Sequence, residues 1–246
     1  MRKKPKVPLN IAAVRDDLAS GFDAHAMMVM KQLQEAGYVA YLVGGCVRDG
    51  LLGVASKDCD VVTDASPDRI HRLFRRSLLI GKRFKIVHVR FKRHFIEVIT
   101  FRGPYHGKQD ENVYGTLMED VKRRDFTINA LYWHYPSGGI IDTEGGLKDL
   151  KNRMLRCVGD PAIRFPEDPV RMIRALRFSA KLDLTLGAKE RHAIRQHQEL
   201  LAQVSPQRLL QEIGKLFHTG HAFKSMQLII DWSWCDRLFP RAKLSQ

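Results

Sequence analysis

The chain has 246 residues, 44% of them hydrophobic, which is enough to build the core of one large domain or two modest ones. No apolar run approaches the roughly 18 residues of a membrane span, and the basic start MRKKPKVPLN leads into no apolar signal segment, so neither membrane insertion nor secretion is expected and the cytoplasm is the expected compartment. Forty-one Lys and Arg against 27 Asp and Glu give a net charge of +14, which points to a polyanionic partner such as nucleic acid, although basic surfaces also serve solubility.

In chain order, residues 1–22 read as a basic lead. From Asp23 to Ala36 apolar residues recur at helical spacing, and Gly37 supplies a stop. "YVAYLV" reads as a buried strand running into Gly44 and Gly45, and "KDCDVVT" (57–63) as a second strand. "SPDRIHRLFRR" starts a helix with Ser66 at the N-cap and Pro67 at the first helical position. "KIVHVRF" (85–91) and "FIEVITF" (95–101) are expected as a hairpin, followed by a polar loop over 103–116. From 130 to 158 come "ALYWHY", a Pro-Ser-Gly-Gly turn, "IIDT", a short helix near Leu147–Lys151 and "LRCV". After Asp160 only helices are predicted, over 168–182, 189–203, 206–218 and 222–230. The plan is an α/β domain over 23–157 and a helical domain over 158–246. The four cysteines are widely spaced, with no CxxC and no zinc spacing, and are expected to be reduced thiols.

Asp58 and Asp60 lie at i and i+2 of a strand and so share a face, with Cys59 on the other. Two carboxylates ~4 Å apart repel by about 1 kcal/mol in water and about 4 kcal/mol at an effective dielectric of 20. A half-buried strand tolerates that where a proton is shared or a cation lies between them. A solvent-facing DxD is the plain structural alternative. The apolar residues that follow and the glycine turn upstream favour a divalent metal, and hard oxygen donors suit magnesium, with manganese as a substitute. Gly44 and Gly45 let backbone N–H groups approach phosphate oxygens, and Arg48 adds charge one turn into the next helix. Neither a P-loop nor a dinucleotide fingerprint is present.

"LVGGCVRDGLLG…KDCDVVTDA" resembles the signature of the class II template-independent nucleotidyltransferases, which include bacterial poly(A) polymerases and tRNA CCA-adding enzymes. "RRDFTINALYW" (123–133), "IIDTEGGLKDL" (140–150) and "RCVGDPAIRFPEDPVRMIRALRFSAKL" (156–182) agree with it in order. The resemblance implies a polymerase-β-like α/β nucleotidyltransferase head with a small mixed sheet, followed by an all-helical neck. It implies that Asp58 and Asp60 hold the metals of a two-metal site, with Glu97 as the candidate third carboxylate. Gly44, Gly45, Arg48 and Asp49 match the triphosphate-cradling block, with Asp49 expected to orient Arg48. Arg123, Arg124, Asp125 and Asn129 match the ribose and phosphate contacts. Asp168, Arg171 and Arg174 match the block that selects ATP, or CTP and ATP; their spacing is expected to place them on roughly one helix face. A surface salt bridge is the plain alternative for that block.

The segment "LLIGKRFKIVHV" (78–89) looks like the one that distinguishes bacterial poly(A) polymerases. It lies in a stretch, His71 to Glu97, with nine Lys or Arg and one acid, a concentration suited to RNA backbone contacts, with Lys82, Arg83 and Lys85 as the candidates. The expected reaction is transfer of AMP from ATP to an RNA 3′-hydroxyl with release of pyrophosphate, by a monomer, with any RNA-delivering protein left open. A tRNA CCA-adding enzyme and a non-catalytic RNA-binding relative are the alternatives. Bacterial poly(A) polymerases continue beyond the equivalent of Gln246 with further helices and a basic tail, so this chain is expected to be a fragment or a short relative.

Overall fold

The computed structural model describes residues 11–12, 18–54, 56, 59–81, 85–92, 94–104, 113–218 and 220–239. The chain divides into two units, Met1–Lys148 and Asp149–Gln246.

The first unit runs β1 (Ile11–Ala12), α1 (Ala24–Glu35), β2 (Ala40–Val43), α2 (Gly45–Leu51), β3 (Asp60–Thr63), α3 (Pro67–Leu73), β4 (Ser77–Ile80), β5 (Ile86–Arg90), β6 (Phe95–Thr100), α4 (Leu117–Arg123), β7 (Tyr132–Trp133), β8 (Ile140–Ile141) and α5 (Gly146–Lys151), whose last turn passes into the second unit. The strands form one mixed sheet in the order β1-β8-β7-β2-β3-β6-β5-β4. Only β3 and β6 run parallel; every other neighbouring pair is antiparallel.

Local chemistry sets these elements. Asp23 caps α1, its Oδ1 accepting from His25 N at 2.7 Å and Ala26 N at 3.2 Å. The helical spacing of Ala26, Val29, Met30 and Leu33 buries one stripe against Leu42, Val61, Val87 and Val98 of the sheet. Each such fully buried aliphatic contributes about 1.5–3 kcal/mol. Along β5 and β6 the period of two sends Val87, Val89, Ile96 and Val98 into this core and leaves His88 and Glu97 on the opposite face.

Four features depart from the sequence pattern. The basic lead contributes β1, which pairs with β8. "SLLI" forms β4 at the edge of the sheet, with Leu78, Leu79 and Ile80 all exposed, so it carries no alternation to announce it. Helix α4 stands at the end of the expected loop, begun by a capping box in which Thr116 Oγ1 accepts from Glu119 N and Glu119 accepts from Thr116 N. Ser66 takes the N-cap position of α3 without a side-chain capping bond.

The second unit contains β9 (Met154–Leu155), α6 (Pro161–Glu167), α7 (Val170–Leu182), β10 (Thr185–Leu186), α8 (Ala188–His197), a 3₁₀ turn over Gln198–Gln203, α9 (Pro206–His218), α10 (Ala222–Asp231) and α11 (Cys235–Leu238). It is helical apart from β9 and β10, a short parallel pair. Helix α7 buries Met172, Ile173, Leu176 and Phe178 and packs on α9 and α10. The expected helix over 168–182 begins later than the spacing indicated. Pro169 disfavours the helical region for the residue before it, and Asp168 is extended, with φ −148° and ψ 91°, at the end of α6. Asp168 therefore does not share a helix face with Arg171 and Arg174.

The four cysteines are free; Cys46, Cys59 and Cys157 are buried and Cys235 is partly exposed. Among the described residues no helix is long and apolar enough to cross a membrane.

Candidate active site

Asp60 opens β3 and is half-buried. The first paired position of the parallel β3–β6 ladder is Val61 opposite Val98, so Asp60 and Glu97 stand one residue before it on neighbouring strands. Both line a cavity of about 470 Å³, together with Asp23 and His94. Glu97 Oε1 lies 3.3 Å from Nε2 of His88, its cross-strand partner, and the His88 ring stacks on Phe95 at 4.1 Å. Asp58 lies outside the described residues. Asp60 and Glu97 each bring carboxylate oxygens to the cavity, hard donors that suit a magnesium-class ion.

Gly44 and Gly45 join β2 to α2. Gly44 has φ +74° and ψ −123°, a backbone conformation that a side chain strains against. Behind this turn Arg48 is buried. Its Nε and Nη2 donate to Asp49 Oδ1 at 2.7 and 2.6 Å, and its Nη1 donates to Asn129 Oδ1 at 2.6 Å. Asn129 Nδ2 in turn donates to Asp125 Oδ1 at 3.0 Å, which also accepts from Phe126 N at 2.8 Å. The two blocks of sequence that carry Gly44–Asp49 and Arg123–Asn129 thus meet in one chain of charge-assisted hydrogen bonds. Asp49 orients Arg48, and a direct contact between a phosphate and the full guanidinium edge is not what this arrangement presents.

Arg123 Nη1 donates to the carbonyls of Gly103 and Pro104, at 3.0 and 3.3 Å. Arg124 belongs to a buried cluster that the sequence reading missed. Asp120 is completely buried; its Oδ2 accepts from Arg124 Nη2 at 2.9 Å and from the Tyr132 hydroxyl at 2.7 Å, while its Oδ1 accepts from Arg102 Nε at 2.9 Å. Burial alone raises the Asp120 carboxyl, but Arg124 and Arg102 outweigh it, and with the hydrogen bonds from Arg102 and Tyr132 they hold it well below the usual carboxylate range. Burial raises the Tyr132 hydroxyl, and Asp120 adds to the shift. Arg124 Nη1 would stand 3.7 Å from a side-chain carbon at Gly44, so this cluster backs the same turn. The signal for it in the sequence is the i, i+4 spacing of Asp120 and Arg124 on a helix that Thr116 and Glu119 start.

The "IIDTEGG" block is positional. Asp142 accepts from Gly146 N at 2.8 Å and Leu147 N at 2.9 Å, and a side-chain carbon on Gly146 would fall on the Thr127 carbonyl. That close approach holds Thr127–Asn129 against α5.

In the second unit, Asp168 Oδ2 accepts from Arg208 Nη2 at 3.0 Å, while its buried Oδ1 has no hydrogen-bond partner among the described residues. Arg171 Nη1 donates to the Arg164 carbonyl at 2.9 Å and to Glu167 at 3.2 Å, and Glu167 also pairs with Arg164. Arg174 and Arg177 both reach the buried Glu212, at 3.4 and 3.1 Å. Burial raises the Glu212 carboxyl, and Arg174, Arg177 and Lys215 together bring it below its ordinary value. Arg174 is therefore tied into the packing of α7 on α9. Of the basic candidates for RNA, Lys85 is half-buried just before β5, and Lys82 and Arg83 lie outside the described residues.

Residues 40–156 match the family described as the poly A polymerase head domain, and residues 183–244 match the one described as the probable RNA and SrmB-binding site of polymerase A. Poly(A) polymerase I of Haemophilus influenzae is 41% identical over 244 residues, covering 93% of this chain and 54% of the relative. A CCA-adding enzyme of Lactobacillus helveticus is 40% identical over 211 residues, covering 84% of this chain and 53% of the relative. The chain spans about half the length of the curated relatives it matches. Among solved structures, the Bacillus stearothermophilus CCA-adding enzyme in complex with CTP superposes with a TM-score of 0.76 at 37% identity, covering 84% of this chain and 51% of that one.

Proposed function

The chain belongs to the class II template-independent nucleotidyltransferases, and from that premise we propose that it acts as a poly(A) polymerase, adding AMP from ATP to RNA 3′-hydroxyl ends and releasing pyrophosphate. The observation that carries the catalytic part is the β3–β6 register, which sets Asp60 and Glu97 on neighbouring strands at one cavity.

In this reading the primer hydroxyl attacks the α-phosphorus of ATP, the bond to the bridging oxygen breaks, and the pyrophosphate leaves. Asp58, Asp60 and Glu97 would hold magnesium, or manganese in its place, which when bound would supply positive charge at the triphosphate and lower the pKa of the primer hydroxyl. Phosphoryl transfer depends mainly on positioning and neutralisation. Gly44 and Gly45 give the triphosphate close access to backbone N–H groups. Asp49, Asn129 and Asp125 hold Arg48 in place behind them, so the positive charge at the turn is fixed before the nucleotide arrives. Arg123 remains a candidate contact to the triphosphate.

Asp168 and Arg171 are the proposed base readers. Adenine and cytosine both present an exocyclic amine where guanine and uracil present a carbonyl, and the Asp168 Oδ1 acceptor suits an amine. Arg174 acts at a distance by fixing α7 through Glu212. Lys82, Arg83 and Lys85 are proposed to contact the RNA backbone, in a chain that works as a monomer.

The choice of poly(A) over CCA addition rests on "LLIGKRFKIVHV" (78–89) and its basic surroundings. CCA addition is the second reading, favoured by relatives of nearly the same identity. Single-nucleotide extension with magnesium distinguishes them. A labelled oligo(A) primer and a tRNA lacking its 3′ terminus are each offered one of the four nucleotides, and the tRNA is also offered CTP with ATP. A long ladder on oligo(A) with ATP alone is the expected result. A stop after CCA on the tRNA would transfer the assignment to the second reading, and no extension of either would remove both.

A further inference from the structure

The start of α1 and the β5–β6 turn together bring a second group of ligating side chains beside the carboxylate pair. We propose that Asp23, His25 and His94 form a binding site for a zinc-class divalent cation, distinct from the magnesium site at Asp58, Asp60 and Glu97.

The three residues each bring one ligand atom to within 4.8 Å of the others. Asp23 Oδ1 lies 3.5 Å from His25 Nδ1, and Asp23 Oδ2 lies 3.5 Å from His94 Nε2. Zinc bonds of about 2.0–2.1 Å arranged tetrahedrally put neighbouring donors about 3.3–3.4 Å apart. The two imidazoles approach the carboxylate from its two oxygens, and rotation of the Asp23 carboxylate and of the two rings is needed to bring one atom of each residue from within 4.8 Å to that spacing. Two imidazoles and one carboxylate leave one position for water. This donor set suits zinc, nickel or cobalt and is poor for magnesium, which takes oxygen ligands.

The neighbours hold the ligands in place. The Asp23 carboxylate is fixed by the two backbone N–H groups it caps. The His25 ring packs on Phe91 at 4.2 Å, and Phe91 stacks with His94 at 5.6 Å. The turn that presents His94 is closed by Phe91 N donating to His94 O at 2.8 Å. The Asp23, His25 and His94 side chains are 23%, 41% and 40% exposed, so an ion has access. Binding would tie the start of α1 to the β5–β6 turn, and through β6 to the strand that carries Glu97.

The test is titration of the purified chain with zinc chloride alone, in competition with a chromophoric chelator and in excess magnesium. One zinc per chain is expected, with a melting temperature raised by several degrees. Affinity should fall by about tenfold or more in His94→Ala, His25→Ala and Asp23→Asn. Asn keeps the capping acceptor at position 23, so the helix start survives in that variant. Cobalt should give a visible absorption band of low coordination number that His94→Ala abolishes. Asp60→Ala should bind zinc as the parent does, whatever becomes of nucleotide transfer, so the outcome is separable from the reading of the active site. The proposal is overturned by a stoichiometry far from one, by unchanged affinity in His94→Ala, or by loss of zinc in Asp60→Ala.

Discussion

The head and the helical unit place their charged side chains by different means. In the head, backbone register does the work for the carboxylates: β3 and β6 are locked by their ladder, so Asp60 and Glu97 come to one cavity whatever their own side chains prefer. Buried pairs then stand behind them, Arg48 with Asp49 and Asn129, and Arg102 and Arg124 with Asp120. In the helical unit the charges pair within and between helices: Arg174 and Arg177 of α7 meet at Glu212 of α9, Arg164 of α6 and Arg171 of α7 at Glu167, and Asp168 takes Arg208. A ladder fixes where its strand residues stand, whereas a pair of long side chains on helices is fixed only by the pair itself. On the proposed function, the chemistry that needs a fixed charge falls to the head and the choice between similar bases to the helical unit.

The largest expected effect breaks the head's side of this comparison. Asp60→Ala or Asp58→Ala should reduce AMP transfer by at least about 10³-fold, since each removes charge that holds the metals at the transferring phosphoryl group. Glu97→Ala should lose roughly 10²-fold. The melting temperature should stay close to the parent's in Asp60→Ala and Glu97→Ala, because a half-buried carboxylate on a ladder contributes little to folding. Transfer that survives Asp60→Ala in a primer-extension assay would sink the metal-site reading.

The next effect separates support from chemistry. Asp120→Asn leaves Arg102 and Arg124 without their counter-charge in a buried place and should cost about 3–5 kcal/mol in urea unfolding. The pH dependence has a definite sign. The native carboxyl lies well below its unfolded value, held down by Arg124 and Arg102 against the cost of burial, so its contribution is complete above about pH 4 and is lost as the pH falls further. The parent should therefore shed stability on acidification below about pH 4, and Asp120→Asn should show a flatter acid limb. A parallel acid limb in the two proteins would mean that Asp120 is not the group being titrated.

Gly44→Ala comes third. A side chain at φ +74°, ψ −123° is strained by about 1–3 kcal/mol, and relief of that strain would move the turn proposed to receive the triphosphate. Stability should fall by that amount in denaturant melts, and the KM for ATP should rise more than kcat falls. Equal ATP affinity in the variant would take the turn out of nucleotide binding.

The sequence carried the head's plan further than the detail behind it. Strands β5 and β6 were legible because Val87, Val89, Ile96 and Val98 alternate, and α1 because Asp23 and Gly37 mark its ends. Strand β4 was not, because three successive exposed aliphatics have no period of two. The Gly44–Asp49 and Arg123–Asn129 blocks were readable as motifs, but their junction through Arg48 and Asn129 spans 81 positions of sequence, which no local pattern reports. Asp120 was passed over for a related reason: α4 is a seven-residue helix that its capping box, not its apolar spacing, announces. In the helical unit, i, i+3, i+6 spacing misled because Pro169 acts on the residue before it, and the Asp168 backbone is extended.

The smallest expected effect sharpens the comparison from the helical side. Arg171 is held by Glu167 and by the Arg164 carbonyl, and Glu167 is shared with Arg164. If Arg171 reads the base, its accuracy depends on this support, which is largely buried, with side chains only 10–26% exposed. Arg171→Ala should lower the ratio of ATP to CTP use by several-fold while leaving AMP transfer at saturating ATP nearly intact. Glu167→Gln keeps a hydrogen-bond acceptor but removes the shared charge, so it should give a smaller loss of discrimination in the same direction. A purely structural Arg171 would instead lower stability and transfer together, with the ATP to CTP ratio unchanged. The two variants therefore tell whether the helical unit's ion pairs serve selection or only the packing of α6 on α7.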